Sequence, residues 1–272
     1  MLLTSKPDTK ETIIFLLSHG AVDSTNLQLK VLEQKKVTKQ GFYKALRELI
    51  AEEVVVKNKQ LVALSNLWIN KLQNFVTSVD KQYKQSSEFI ALQEGETITY
   101  HFKTLVSLDL FWMHQFFLIA KQFDEEPILF YNSHEFWSLF RHHEQSLLYS
   151  WLQNNNKTTY FVIGGTSALD KETTAYIHPF GLHMHYTIDS GLRSNYFFTV
   201  IGEYIISTIL DANTTKAIHE LYKTYISWTQ ETQNNLSIIL TRLKRSKIII
   251  ERNHKKAEML RKKLMKYFVF YK

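Results

Sequence analysis

The feature that most constrains the fold is residues 38–65, TKQGFYKALRELIAEEVVVKNKQLVALS, where a helical pattern gives way to a strand pattern. Four apolar residues have the helical spacing i, i+3, i+4 and i+7, namely Phe42, Ala45, Leu46 and Leu49. This spacing is typical of the buried face of an amphipathic helix. Two short apolar runs follow, 54–56 and 61–64, and the polar residues between them indicate a turn. The segment therefore predicts a helix that runs directly into a β-hairpin.

The opposite side of this helix is cationic and rich in hydrogen-bonding groups. It carries Lys39, Gln40, Tyr43, Lys44 and Arg47 after an N-cap at Thr38, and the hairpin adds Lys57 and Lys59. Arg and Lys side chains suit guanine edges, and Gln suits adenine. The pattern favours a helix, 38–50, that reads the major groove and a hairpin, 54–64, that contacts the DNA backbone.

Two further helices are predicted before this segment. Thr9 to Thr12 open the first, and Asp23 supplies an N-cap for the second. Three helices followed by a two-stranded hairpin is the order of a winged helix-turn-helix domain. We therefore expect such a domain at 1–66, followed by a linker helix at 67–85.

Residues 8–66 resemble the winged-helix domains of bacterial and archaeal transcription regulators. The resemblance lies in the spacing of the three helices, in the capped KQGFYKALREL helix, and in the hairpin with Lys57 and Lys59. It implies that the third helix enters the major groove of double-stranded DNA and that the hairpin tip lies against phosphates. Winged helices also serve as protein-interaction modules, so a protein-binding scaffold is an alternative.

Composition restricts the class of protein further. The chain has no cysteine, which excludes disulfides and favours a cytoplasmic protein, and its longest apolar stretches are too short and polar to span a membrane. The formal net charge of +7 is concentrated at one end, because residues 241–272 alone carry twelve Lys or Arg against two Glu. The overall charge is therefore not evidence for the cationic helix described above.

Residues 86–228 alternate between strand and helix patterns and predict an α/β domain with a mixed sheet. The clearest segments are Pro127–Tyr131, Thr159–Ile163 and Tyr196–Ile201 as strands, and Leu105–Phe123, His134–Leu152 and Ala212–Trp228 as helices. The order of these elements resembles the effector half of TrmB-type regulators, whose fold is related to phospholipase D.

Catalytic members of the phospholipase D fold carry the motif H-x-K-x4-D. Here His101 and Lys103 are followed by Asp109, one residue too late, and no second copy is present. We therefore expect a non-catalytic domain for dimerisation or ligand sensing, with a phosphodiesterase or nuclease as the alternative.

The residues that follow two predicted strands are candidates for ligand binding, because open α/β sheets bind ligands beyond the carboxyl ends of their strands. They are Asn132, Ser133 and His134 after one strand, and Gly164, Gly165, Thr166 and Ser167 after the next. The GGTS turn offers N–H groups and hydroxyls to a phosphate or a sugar. A tight turn capped by Thr166 or Ser167 is the alternative.

We predict neither a cofactor nor a metal, although His183 and His185 at i, i+2 would project from one face of a strand. Residues 229–272 have neither Gly nor Pro and predict one long basic helix, which mediates dimerisation or contacts DNA. Together these patterns predict a cytoplasmic, homodimeric, DNA-binding transcriptional regulator with a small-molecule effector as a further partner.

Overall fold

The computed structural model describes residues 7–85, 92–123, 125–187, 191–242 and 245–268, and the chain forms two compact units, Met1–Ser86 and Ser87–Lys272. The first unit contains, in chain order, α1 (Thr9–Leu17), β1 (Val22–Asp23), α2 (Ser24–Gln34), α3 (Lys39–Ala51), β2 (Val55–Asn58), β3 (Leu61–Leu64) and α4 (Asn66–Gln85).

Local capping fixes where these helices begin. The side chain of Asp8 forms a reciprocal capping box with Glu11, and Asp23 accepts hydrogen bonds from the first turn of α2. Asp23 and Thr38 thus cap the helices that they were predicted to cap. The short strand β1 was not predicted. It pairs with β3 through Val22 and Val62, which gives a three-stranded antiparallel sheet in the order β1-β3-β2.

The second unit is a mixed sheet with helices. Its elements are β4 (Thr97–Phe102), α5 (Leu105–Ala120), β5 (Ile128–Asn132), α6 (Trp137–Phe140), α7 (His142–Asn154), β6 (Thr159–Ile163), α8 (Ala168–Ile177), β7 (His183–Tyr186), β8 (Tyr196–Ile201), β9 (Tyr204–Ile209), α9 (Ala212–Thr224), α10 (Gln230–Thr241), β10 (Ser246–Arg252) and α11 (His254–Met265). The seven strands have the order β4-β10-β9-β8-β5-β6-β7. Among the strands of the described ranges, only β5, β6 and β7 are parallel to one another, so the predicted α/β class with a mixed sheet is confirmed.

Side chains on the two faces of this sheet belong to two different cores. Phe130 and Phe161 stack at 4.2 Å on the face that α5, α7, α9 and α10 cover. Leu129 and Val162 point to the other face, where they pack with Leu260 and Leu264 of α11. Alternation along the central strands therefore produces a core on either side of the sheet.

The prediction of one long basic helix at the C-terminus is wrong. Residues 246–252 form β10, which is inserted between β4 and β9. Along it Ser246, Ile248 and Ile250 are buried while the residues between them are half-buried, which is the period of a strand. Consecutive β-branched isoleucines favour this conformation, and Asn253 then caps a separate helix, α11.

The predicted helix His134–Leu152 is also wrong at its start. His134 and Glu135 precede α6, because the backbone N–H of Glu135 donates to Asp170 and not to a helical carbonyl. A break at Arg141 then separates α6 from α7. His134 consequently lies in the turn that leaves β5.

Candidate functional sites

The first candidate site is the surface formed by α3 and the β2–β3 hairpin. The four predicted apolar residues of α3 are all buried, with Phe42 fully inaccessible and Ala45 7% exposed. The hydroxyl of Thr38 accepts a hydrogen bond from the N–H of Gly41 at 3.1 Å and so fixes the first turn. The buried stripe and the cap together determine which side of α3 reaches solvent.

The predicted DNA-binding residues occupy that solvent side. Thr38, Lys39, Gln40, Lys44 and Arg47 are exposed, and Tyr43 is half-buried. Tyr43 packs edge-on against Phe42, and its backbone carbonyl accepts a hydrogen bond from Nε of Arg47 at 3.3 Å. These contacts hold Tyr43 and Arg47 against the helix.

The hairpin adds two exposed cations beside a two-residue turn. Lys57 lies on β2, where its Cα is paired with Val62. Lys59 begins the turn with φ at +55°, in the left-handed region, because Asn58 and Leu61 are already paired across the hairpin. We call Lys39, Lys44, Arg47, Lys57 and Lys59 the cationic face.

Acidic residues near this face are neutralised by other lysines. Lys10 forms ion pairs with Glu48 at 2.9 Å and with Glu52 at 2.7 Å, and Lys71 pairs with Glu53 at 3.0 Å. The hydrogen bond from Lys10 lowers the pKa of Glu48, and Glu52 raises the pKa of Lys10. Within the part of the chain that the structure describes, none of the five residues of the cationic face forms an ion pair.

The second candidate site is a cavity of about 610 Å³ at the carboxyl ends of β5 and β6, which we call the strand-end cavity. Six of the seven predicted ligand residues line it, namely Ser133, His134, Gly164, Gly165, Thr166 and Ser167. Asn132 does not. Its amide donates to the buried carboxylate of Glu135 and faces a separate small cavity on the side of Phe130, because neighbouring residues of a strand point to opposite faces.

A chain of three polar side chains lies at the wall of the strand-end cavity. Asp170 is fully buried, and its carboxylate lies 3.1 Å from Nδ1 of His134. Nε2 of His134 lies 3.2 Å from Nδ1 of His219. We call Asp170, His134 and His219 the histidine chain. It connects a buried carboxylate through a largely buried imidazole to an imidazole that is exposed to solvent.

Hydrogen bonds to Asp170 determine the tautomer of His134. The carboxylate of Asp170 also accepts from the hydroxyl of Ser167 at 2.8 Å and from the N–H groups of Ser167 and Glu135. A carboxylate with these donors is an acceptor toward the imidazole as well, so Nδ1 of His134 carries the proton. Nε2 of His134 is therefore the nitrogen that faces His219.

Aromatic and charged neighbours complete this arrangement. The ring of Tyr222 lies 4.2 Å from that of His134, and its hydroxyl donates to the carbonyl of Glu135 at 2.6 Å. Partial burial lowers the pKa of His219, and the nearby His134 and Lys223 lower it further. His219 therefore gives up a proton more readily than an ordinary histidine does.

Close packing explains the two glycines of the GGTS turn. A Cβ atom on Gly165 would lie 2.1 Å from Oδ2 of Asp170 and 2.7 Å from Nδ1 of His134. A Cβ atom on Gly164 would lie 2.5 Å from the hydroxyl of Tyr131. The pair Asp170–His134 therefore requires glycine at position 165.

The sequence did not identify Asp170 or His219 as site residues. A signal for Asp170 was present, since Ser167 and Asp170 have the spacing of a reciprocal cap at the start of α8, and each binds the other's backbone. His219 lies 85 residues after His134 on α9 and had no such signal.

Other residues weighed in the sequence do not converge on a site. His101 and Lys103 are exposed, whereas Asp109 is buried on α5 beside Arg141 and Gln145. His183 and His185 stack on Tyr160 and Tyr267, respectively. Among the described residues no group of three or more His, Asp or Glu side chains is placed to hold a metal ion.

Of the comparisons with known proteins, only the one with solved structures found matches. No family model matches the chain, and no curated protein matches it. Five chains of solved structures match, among them one described as "Structure of TrmBL2, an archaeal chromatin protein, shows a novel mode of DNA binding". That match covers 96% of this chain and 91% of the other, with 10% identity and a TM-score of 0.34. These values are too low to assign the chain to that protein's family or function.

No helix within the described ranges has the length and apolar character needed to cross a membrane.

Proposed function

We propose that the protein is a DNA-binding transcriptional regulator whose N-terminal unit is a winged helix-turn-helix domain. In this proposal the N-terminal half of α3 enters the major groove, and the β2–β3 hairpin is the wing that lies along the backbone. The observation that carries the proposal is the cationic face. Its five residues are exposed, and the neighbouring acidic residues Glu48, Glu52 and Glu53 are already paired elsewhere.

Electrostatics and hydrogen-bonding chemistry both support this reading. Duplex DNA attracts cations along its whole length, so each exposed Lys or Arg that reaches a phosphate adds affinity. The N-terminus of α3 carries a partial positive charge of its own, which adds to that of Lys39. Gln40 and Arg47 have side chains that pair with adenine and guanine edges, respectively.

A pair of double variants with equal changes in charge tests the proposal. Lys44→Ala with Arg47→Ala removes two cations from the cationic face. Lys30→Ala with Lys81→Ala removes two exposed cations from α2 and α4. We expect the first variant to lose specific binding to genomic fragments in fluorescence anisotropy, since each good base contact contributes about 1–3 kcal/mol. We expect the second variant to bind much as the wild type does.

Thermal unfolding of both variants serves as the control for stability. Lys44 and Arg47 lie on the exposed side of α3, so their loss is expected to change the free energy of unfolding by no more than about 0.5 kcal/mol. Equal DNA affinities for the two double variants would refute the assignment of α3 as the recognition helix.

The second unit is assigned in this proposal to dimerisation or ligand sensing. A homodimer doubles the number of phosphate contacts and gives two half-sites. The strand-end cavity is the candidate effector site, with the histidine chain at its wall. We propose a binding role and not a catalytic one for this unit. The support is that His101 and Lys103 are exposed on β4 or just after it, while Asp109 is buried on α5.

A protein-interaction scaffold is the competing function for the first unit. On α4, Phe75 is 66% exposed and Val76 is 61% exposed, and apolar residues of this kind favour contact with protein. A shallow salt dependence of any DNA binding would favour the scaffold, because neutralisation of phosphates makes that dependence steep.

A further inference from the structure

The strand-end cavity has the chemistry of an oxyanion site. We propose that it binds the phosphoryl group of a small phosphorylated ligand, which is held between the histidine chain and the N-terminus of α8. This inference deepens the ligand-sensing part of the proposed function and rests on it. DNA binding by α3 is not required for it, because the cavity lies wholly within the second unit.

Three side chains with nitrogen atoms line the cavity. His134 and His219 bring two imidazoles to within 3.2 Å of each other, and Lys223 lines the cavity one turn further along α9. Lys223 is only loosely engaged by Glu220, at 3.5 Å on the surface. Both ring nitrogens of His134 are engaged, by Asp170 and by His219, so Nε2 of His219 and the ammonium group of Lys223 are the nitrogens left to donate to a phosphoryl group.

Other residues that line the cavity belong to the start of a helix. Ser167 caps α8 by accepting from the N–H of Asp170 at 3.1 Å, and both Ser167 and Ala168 line the cavity. The N-terminus of a ten-residue helix therefore opens onto the cavity, where N–H groups and the helix dipole favour an anion.

Ser133 is an independent indication that a ligand binds here. Ser133 is only 6% exposed, yet it lines the cavity. Within the residues that the structure describes, its hydroxyl has no hydrogen-bond partner. The hydroxyl of a residue that lines the cavity and has no partner in the protein leaves a donor and an acceptor available for a ligand.

The negative charge of Asp170 does not oppose this assignment. Its oxygens accept from Ser167, from the N–H of Glu135 and from His134, and Asp170 is not among the residues that line the cavity. The effect of Asp170 is to hold the ring of His134 with Nε2 toward His219. Asp170 is accordingly a positioning residue, which acts through His134 on the His219 imidazole at the cavity.

A metal ion is the competing ligand for the same two imidazoles. A separation of 3.2 Å between Nε2 of His134 and Nδ1 of His219 would also suit two ligands of one tetrahedral metal. The described part of the chain brings no third His, Asp or Glu into such a group. The hydroxyls and the helix N-terminus therefore favour the phosphoryl group.

Titration of the full chain with inorganic phosphate, followed by isothermal calorimetry, tests the proposal. The variants are His134→Gln and His219→Gln, and the matched control is His143→Gln, an exposed histidine on α7. We expect phosphate to bind the wild type and the control, and each cavity variant to bind about tenfold more weakly, since a hydrogen bond to a charged group contributes that much and His134 orients the His219 ring that donates it. Phenyl phosphate in a parallel arm distinguishes an organic monoester from free phosphate as the preferred ligand.

The outcomes separate this inference from its rivals. His219 is exposed, so His219→Gln is expected to fold even if His134→Gln does not. No phosphate or phenyl phosphate binding, or binding that neither variant weakens, would overturn the proposal. Binding of zinc that needs both histidines, without phosphate binding, would overturn it in favour of a metal. Each of these results would leave DNA binding by α3 unaffected.

Discussion

The salt dependence of DNA binding can be predicted from the cationic face. Five cations belong to this face, three on α3 and two on the hairpin. The logarithm of the DNA-binding constant falls linearly with the logarithm of the salt concentration, and each neutralised phosphate adds about 0.9 to the magnitude of this slope. If each of the five cations neutralises one phosphate, the slope is at most about −4.5 per protomer. The two hairpin lysines account for about 1.8 of that value. Lys57→Gln with Lys59→Gln should therefore reduce the slope to about −2.7.

Anisotropy titrations of a fluorescent duplex at a series of salt concentrations measure this slope directly. Lys30→Gln with Lys81→Gln removes the same charge from exposed positions on α2 and α4 and should leave the slope nearly unchanged. A hairpin variant with the wild-type slope would show that the wing does not contact phosphates. A wild-type slope near zero would refute the electrostatic reasoning altogether and favour the scaffold.

Three further predictions concern single residues. Thr38→Ala removes the acceptor for the N–H of Gly41 and should lower the free energy of unfolding by about 1 kcal/mol in urea denaturation. Burial raises the pKa of the Asp109 carboxyl from 3.8 to about 7, although the Arg141 guanidinium opposes this shift. Because the pKa of Asp109 is higher in the folded state than in the unfolded state, its contribution to stability should fall as the pH rises from 3.8 to about 7. Asp109→Asn should remove this fall in the free energy of unfolding, which urea denaturation across the same pH range measures. Gly165→Ala places a methyl group against Asp170 and should cost about 1–3 kcal/mol in thermal or urea unfolding, whereas an unchanged stability would contradict the close packing.

Local patterns were sufficient to predict α3 and β6. The cap at Thr38 and the spacing of Phe42 to Leu49 specify α3 without help from the rest of the chain. Residues 159–163 are an apolar run that ends in Gly164, and β6 has these bounds. In both cases the signal that determines the structure lies within a few residues of the element.

β9 and β10 were missed because their partners are distant in the sequence. β10 pairs with β4, well over a hundred residues earlier, and its isoleucine run occurs in a stretch without Gly or Pro that also suits a helix. β9 follows β8 across a tight turn at Gly202, where φ is +53°. Tertiary pairing decided the conformation of both segments.

The candidate sites also differ in whether local sequence patterns are enough to predict them. The cationic face and the GGTS turn were visible because helical spacing and strand ends position their residues locally. The histidine chain was not, because it joins His134 on the β5 turn to Asp170 on α8 and to His219 on α9. Only the folded sheet brings those three elements together.

Selection of binding sites from genomic fragments tests the central claim most directly. The wild-type protein should enrich one sequence motif, and the Lys44→Ala with Arg47→Ala variant should lose that enrichment while the Lys30→Ala with Lys81→Ala variant retains it. Enrichment of the same motif by both variants, or of no motif by the wild type, would contradict sequence reading by α3.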